Sequence, residues 1–324
     1  DVNDLNLILF WIGINGVKIM SEITFLDNAK TGKNNWWRYV ITIGLSAGVS
    51  FIVTLVLFIM FIVLYITLSP IKTNANFLSS VSDIAYNPFF LITITGVLYL
   101  ISAFIFYVCV RFLHKKRFLS IINAVSGFRW KMLFKGMGLW LLILFLFSLP
   151  ELVFSPNSYQ FTFDPKNYGF LLVLCLLVFP IQASLEELVF RGYLMQGFSL
   201  LTKKPWIPLL VTSIIFSLMH YWNGTGNVAL AIVISTFIIG FMLGIIALGD
   251  NGIETAMGIH IGNNLYVALI FNSADSGLPN VPSLVTSQPT DPFAGIPFMV
   301  VMALLTIVIL FWNRKDDLIR IFHK

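Results

Sequence analysis

Charge is what this sequence has least of. Lys, Arg, Asp and Glu make up 11% of its 324 residues, against roughly 25% in a soluble domain. A water-soluble globular fold is excluded on that ground. Cysteine is nearly absent: Cys109 and Cys175 both fall in apolar runs, which excludes a disulfide framework and reads as two buried thiols. No His-Glu-x-x-His string occurs, and no Ser or Cys nucleophile with a nearby base stands out. Coiled coils, low-complexity tracts and internal repeats are also missing. The net charge of +5 sits on basic residues placed between apolar runs, where it sets membrane orientation and not nucleic-acid binding.

What fills the chain is hydrocarbon: 58% of residues are hydrophobic. The runs predict an all-α polytopic membrane protein of about eight transmembrane helices enclosing a polar intramembrane cavity. The spans read as 40–68, 89–113, 136–154, 169–200, 206–222, 228–248, 253–271 and 294–312. Pro180 is expected to break or kink the fourth. The run Leu5–Val17 is short for a span and lacks the flanks of a signal peptide, so it reads as an interfacial or re-entrant helix. The basic connector 114–135 reads in part as an amphipathic helix on the membrane surface. These divisions give an interfacial segment 1–39, a three-helix accessory region 40–168, a core 169–272, and a last loop, helix and tail over 273–324.

Eight spans put both termini on one side. Nearly all Lys and Arg outside the spans fall on that side: in the N-terminal segment, the 114–135 connector, Lys203-Lys204 and the tail. Only Lys72 and Lys166 fall on the other. Such asymmetry places the termini in the cytoplasm, which in a bacterium means a plasma-membrane protein.

Charge that does enter a span is therefore conspicuous. Ser184-Leu185-Glu186-Glu187-Leu188-Val189-Phe190-Arg191-Gly192 carries two carboxylates and a guanidinium inside an apolar element, by default a functional mark. On a helix Glu187 and Arg191 are i,i+4 neighbours, while Glu186 points about 100° away. Arg191 should neutralise Glu187 and leave Glu186 facing a cavity. Phe216 stands four residues before His220 on the next span, and His260 four before Asn264 on the seventh, with Asn263 between. Counted inward from the basic markers, Glu186, His220 and Asn264 lie roughly 26, 24 and 21 Å deep and His260 roughly 15 Å. Counted from the other face the depths agree less well, since His220 is close to the Asn223 loop.

A carboxylate and an imidazole can together take a proton from water, and a second imidazole with a carboxamide can donate to the oxyanion of a peptide carbonyl. The bland readings stand beside this one. Glu187 and Arg191 can be a structural ion pair, and a lone buried histidine is more often packing than chemistry. Two histidines and a glutamate also make a catalytic zinc set, though Asn264 is a poor zinc ligand and no third strong ligand is evident.

The ordered triple Glu186-Glu187-x-x-x-Arg191, Phe216-x-x-x-His220 and His260-x-x-x-Asn264 closely resembles the CAAX-protease and bacteriocin-processing (CPBP, or Abi) family of intramembrane proteases. That family includes the type II CAAX prenyl endopeptidases. The resemblance covers about residues 169–272 and implies an eight-helix bundle with a conical cavity opening to the cytoplasm. It implies that Glu186 and His220 activate water, that His260 and Asn264 form the oxyanion site, and that Glu187, Arg191 and Phe216 support them. The substrate would be a peptide or protein, lipid-modified ones included, and no cofactor is expected, zinc being the alternative. A non-proteolytic scaffold or regulator that keeps the fold is the competing class. A transporter fits less well, because no pair of broken helices recurs in two halves.

Overall fold

The computed structural model describes residues 24–68, 82–84, 86–125, 127–274, 277 and 281–322. The Leu5–Val17 helix expectation lies outside them. Eight helices occupy the eight expected places: α1 Trp36–Leu68, α2 Pro88–Val108, α3 Trp130–Phe154, α4 Pro165–Glu187, α5 Trp206–Met219, α6 Gly226–Gly249, α7 Glu254–Leu269 and α8 Ile296–Phe311. A ninth, α9 Lys315–Phe322, follows α8 at a bend of 117°. Among the described residues five helices are long and apolar enough to cross a membrane, or six if α8 and α9 count as one span. The remaining two, α5 and α7, have 14 and 16 residues. The chain is thus a polytopic integral membrane protein.

Its helices are inside-out. The exposed side of α1 is apolar along its length (Phe51 and Met60 are about three-fifths exposed), while Thr42, Ser46, Ser50 and Thr54 are buried. Their i,i+4 spacing forms a stripe of small polar residues against α2, where Ser102 Oγ donates to the Ser46 carbonyl at 2.7 Å and lies 3.2 Å from Ser50 Oγ. Lipid drives no such pairing, so close packing and interhelical hydrogen bonds hold it. Helices α3 and α7 approach closely through glycine: a Cβ on Gly258 would overlap the Leu133 carbonyl, and one on Gly136 the Thr255 carbonyl.

Two sequence expectations are corrected. First, of the break or kink expected at Pro180 there is no break: α4 runs through it, and the irregular turn comes later, as a π-helix over Leu188–Leu194 before a last helical turn, Met195–Ser199. A proline in a buried transmembrane helix is tolerated where its neighbours satisfy the freed backbone. Second, the 114–135 connector is not a surface helix. Before α3 begins at Trp130 only Leu119–Ile122 is helical there, and His114, Lys116, Ile121 and Ile122 are buried. The connector is instead folded into the protein: His114 lies 2.8 Å from the Lys33 carbonyl through Nδ1 and 2.6 Å from Tyr193 Oη through Nε2. Gly32 has φ +72°, and a Cβ there would lie 2.5 Å from the His114 carbonyl, so the close approach of segments 31–33 and 114–116 needs glycine.

The helix ends meet on two faces. On one, segments 24–38, 111–135, 196–206, 249–254 and 312–322 interlock. Arg129 donates to both oxygens of buried Glu254 (3.0 and 2.5 Å), and Arg314 to Asp250 (2.9 Å). Asn251 turns the chain there with φ +51°. Every described Lys and Arg belongs to this basic face except Lys166 and the buried Arg191. On the opposite face a small sheet ties two connections together, the one between α3 and α4 and the one between α7 and α8. Its strands are β1 Tyr159–Phe161, β2 Phe271–Ser273 and β3 Val285–Ser287, in the order β1-β3-β2. β3 is antiparallel to β1, with Tyr159 opposite Ser287, and parallel to β2, with Phe271 opposite Val285.

Candidate active site

Glu186 and Glu187 end α4, and their neighbouring positions send them apart. Glu187 turns inward. Arg191 Nη1 donates to its Oε1 at 2.7 Å, and His260 Nδ1 lies 2.8 Å from the same oxygen. Glu187 and Arg191 are both fully buried. Arg191 Nη2 donates to the Gly240 carbonyl at 3.1 Å, and the guanidinium lies 4.2 Å over the Phe216 ring. A Cβ at Gly240 would come within 2.9 Å of Arg191 and 3.0 Å of Phe216, so glycine lets α6 pass this close. The guanidinium is held by a carboxylate, a carbonyl and a π face, as a buried charge must be. The π-helix carrying it widens α4 at this turn, a feature frequent at functional sites.

Glu186 turns the other way. The Tyr99 hydroxyl donates to its Oε1 at 2.5 Å, and Gln182 Nε2 donates to the same oxygen at 3.4 Å. Its other oxygen, Oε2, is buried and has no hydrogen-bond partner among the described residues. The nearest imidazole atom is His260 Nε2, 3.7 Å away. The His260 ring thus stands between the two glutamates, with Glu187 holding one edge and Glu186 near the other.

His220 caps the end of α5. Its Nδ1 lies 2.8 Å from the Phe216 carbonyl and its ring 4.6 Å from the Phe216 ring. Phe216 also meets His260 edge to face at 5.9 Å. One ring therefore touches Arg191, His220 and His260. On α7, Asn263 accepts from Trp140 Nε1 at 3.2 Å and donates to Asn264 Oδ1 at 3.3 Å.

Glu186, His220, His260, Asn263 and Asn264 line one cavity of about 420 Å³, with Tyr99 and Gln182. A wider depression of about 720 Å³ lies on the basic face between Leu26–Lys30 and Ser199–Pro205 and holds none of these residues. All four expected catalytic positions therefore reach one space, and Glu187, Arg191 and Phe216 brace it. The sequence reading missed Tyr99 and Gln182. Gln182 was visible as a polar residue one helical turn before Glu186. Tyr99 comes from a distant helix with no motif around it.

A Gly-x-Ser-x-Gly string does occur, at Gly44-Leu45-Ser46-Ala47-Gly48. It lies within the unbroken α1 and not on the strand-to-helix turn that exposes a nucleophile. Among the described residues no three His, Cys, Asp or Glu side chains are grouped so as to hold a metal ion.

The fold and site define a polytopic membrane protein with an acid, two imidazoles and four carboxamides around a buried polar cavity. Residues 168–266, which carry all of these but Tyr99, match the family model described as type II CAAX prenyl endopeptidase, Rce1-like. Over that segment the chain is similar to a family of CAAX-type membrane proteases, as the three motifs implied. The uncharacterised protein YyaK of Bacillus subtilis (strain 168) is 28% identical over 293 residues, covering 88% of this chain and 95% of that protein. No solved structure gives a significant match.

Proposed function

We propose that this chain is an intramembrane endopeptidase in which Glu186 activates the attacking water. The observation that carries this reading is Glu186 Oε2: a buried carboxylate oxygen without a hydrogen-bond partner, on the wall of a cavity shared with His220, His260 and Asn264. Leaving such an atom unsatisfied costs about 1–3 kcal/mol or more; Glu187 Oε2 is likewise unpartnered, but of the two carboxylates only Glu186 lines the cavity, where water or substrate can meet it.

In the proposed reaction water gives a proton to Glu186 Oε2 as its oxygen bonds to the peptide carbonyl carbon. His220 supports this water from the far side of the cavity. The carbonyl oxygen becomes an oxyanion, which takes hydrogen bonds from His260 Nε2–H and the Asn264 NH₂ group. Glu187 holds the His260 ring by its Nδ1 edge, so that Nε2 is turned to the oxyanion. The C–N bond then breaks, and the proton held by Glu186 passes to the departing amine. Tyr99 and Gln182 hold the carboxylate in place. No step of this reaction uses a metal. The basic face is cytoplasmic in this reading, with both termini there.

The test is a comparison of protein termini in membranes carrying the wild-type chain or Glu186→Gln. A terminus made only by the wild type, at equal folded amounts of both, supports the reading. Cleavage that survives Glu186→Gln or stops with a chelator refutes the mechanism. An unchanged cellular phenotype in a Glu186→Gln, His260→Ala chain selects the scaffold class instead.

A further inference from the structure

We infer that the cavity opens to the non-cytoplasmic face, so that the peptide bond it cuts belongs to a membrane-attached segment exposed outside the cytoplasm. The inference deepens the protease reading and rests on the orientation proposed with it. It also reverses the cytoplasmic opening that the motif resemblance implied.

Three observations carry it. The first is the rim. Among the described residues lining the cavity, Asn223 and Gly277 belong to connections on the face opposite the basic one, and none belongs to the basic-face segments. A Cβ at Gly277 would lie 3.3 Å from Asn223 Cβ, so these two connections meet at the rim. His220, at the end of α5, is three positions before Asn223.

The second is the floor. Between the glutamates and the basic face lies a buried apolar cluster. Ile121 and Ile122 of the connector join Leu133, Leu185, Leu188 and Ile253 in one buried apolar cluster. The backbone of the π-helix rests directly on the connector, for a Cβ at Gly192 would lie 2.6 Å from the Ile121 carbonyl oxygen. Interiors packed this way admit no peptide without rearrangement. A substrate arriving from the basic side has to displace that floor.

The third is the lip. Beside His220 the side chains of Leu218, Met219, Tyr221 and Trp222 are exposed, Trp222 at 85%. Tyr and Trp gather at the level of lipid headgroups. This pair sets the mouth in the headgroup layer of the non-cytoplasmic leaflet. Apolar residues around the mouth suit a polypeptide held at that surface by its own membrane anchor, and not a free soluble peptide.

The test uses the full chain in native membranes, with Cys109 and Cys175 replaced by Ala. Single cysteines are placed at Thr95 and Val267, which line the cavity, and at Lys166 and Lys203 as markers of the two faces. A membrane-impermeant maleimide is applied to intact cells and to inside-out vesicles. Thr95→Cys and Val267→Cys are expected to react in the preparation that labels Lys166→Cys and to be protected in the one that labels Lys203→Cys. Reaction alongside Lys203→Cys, reaction in neither preparation, or labelling of both markers from one side overturns the inference. None of these readouts needs catalysis. Loss of the protease reading in the Glu186→Gln comparison leaves the access result standing, and the reverse also holds.

Discussion

Glu187 Oε1 lies 2.7 Å from Arg191 Nη1 and 2.8 Å from His260 Nδ1. One oxygen therefore links the charge balance of α4 to the orientation of a histidine on α7. Removing it strands a buried guanidinium. Glu187→Ala is expected to lose about 3–5 kcal/mol of stability, the usual cost of breaking a buried ion pair. A sharp fall in folded yield and in the thermal midpoint in detergent would register it. Glu187→Gln keeps the shape and an acceptor oxygen, so it should fold better than the alanine variant while cleaving more slowly than wild type. Equal stability of all three proteins would contradict this account.

Tyr99 lies 87 positions before Glu186 in sequence yet donates to it at 2.5 Å. A hydrogen bond to a charged acceptor contributes about 1.5–3 kcal/mol. Tyr99→Phe is expected to slow cleavage by roughly 10- to 100-fold. The change should appear in kcat with little effect on KM, because the ring remains and only the hydroxyl goes. Single-substrate kinetics on purified protein would separate the two. A pure KM effect would make Tyr99 a substrate contact instead.

Packing makes its own prediction. A methyl group at Gly258 collides with the backbone of α3, whereas one at Gly44 meets nothing within 4 Å. Gly258→Ala is expected to cost about 1–3 kcal/mol through forced separation of α3 and α7. Gly44→Ala should be neutral or slightly stabilising, since alanine is the better helix former. Thermal melts of the two variants side by side decide the matter.

The connector offers a pH dependence. Lys116 is 3% exposed, and its Nζ donates to the Ala29 carbonyl at 3.1 Å. Burial pulls its ammonium down from the ordinary 10.5 to about 8. Below about pH 8 both folded and unfolded chains hold the proton, and the folded state bears the full cost of burying it. From about pH 8 to 10.5 the unfolded chain binds more protons, so the stability contributed here rises with pH. The thermal midpoint of wild type relative to Lys116→Met should climb between pH 7.5 and 9.5. A flat difference would show that Lys116 titrates normally.

Much of this molecule is legible in its residue order. Hydrophobic length located all eight helices, because burying a bare backbone in lipid leaves few alternatives to a helix. Intramembrane charge located Glu186, Glu187 and Arg191, because such charge is too costly to keep idly. Spacing also showed that Glu187 could reach Arg191. It could not show that His260 would share the same oxygen, since periodicity reports which residues lie on one face of a helix and not which helix lies opposite. Tyr99 stayed hidden for the same reason. Pro180 could not say by itself whether the helix would break, because its effect depends on neighbours that satisfy the backbone around it. The connector misled because its alternating basic and apolar residues suit a membrane surface as well as a buried clamp. The puzzle of His220, deep from one face and shallow from the other, came from comparing helices of unequal length.

That inequality has a physical price for the bilayer. Helix α5 has 14 residues and so spans only about 21 Å, against a hydrocarbon thickness of about 30 Å. Lipids beside it must shorten or splay to match, at fractions of a kcal/mol per Å. Headgroups and their water are thereby drawn down toward His220, and a scissile bond need not be pulled far into oil to be hydrolysed. On the protease reading, cleavage should run faster in vesicles of short acyl chains than of long ones.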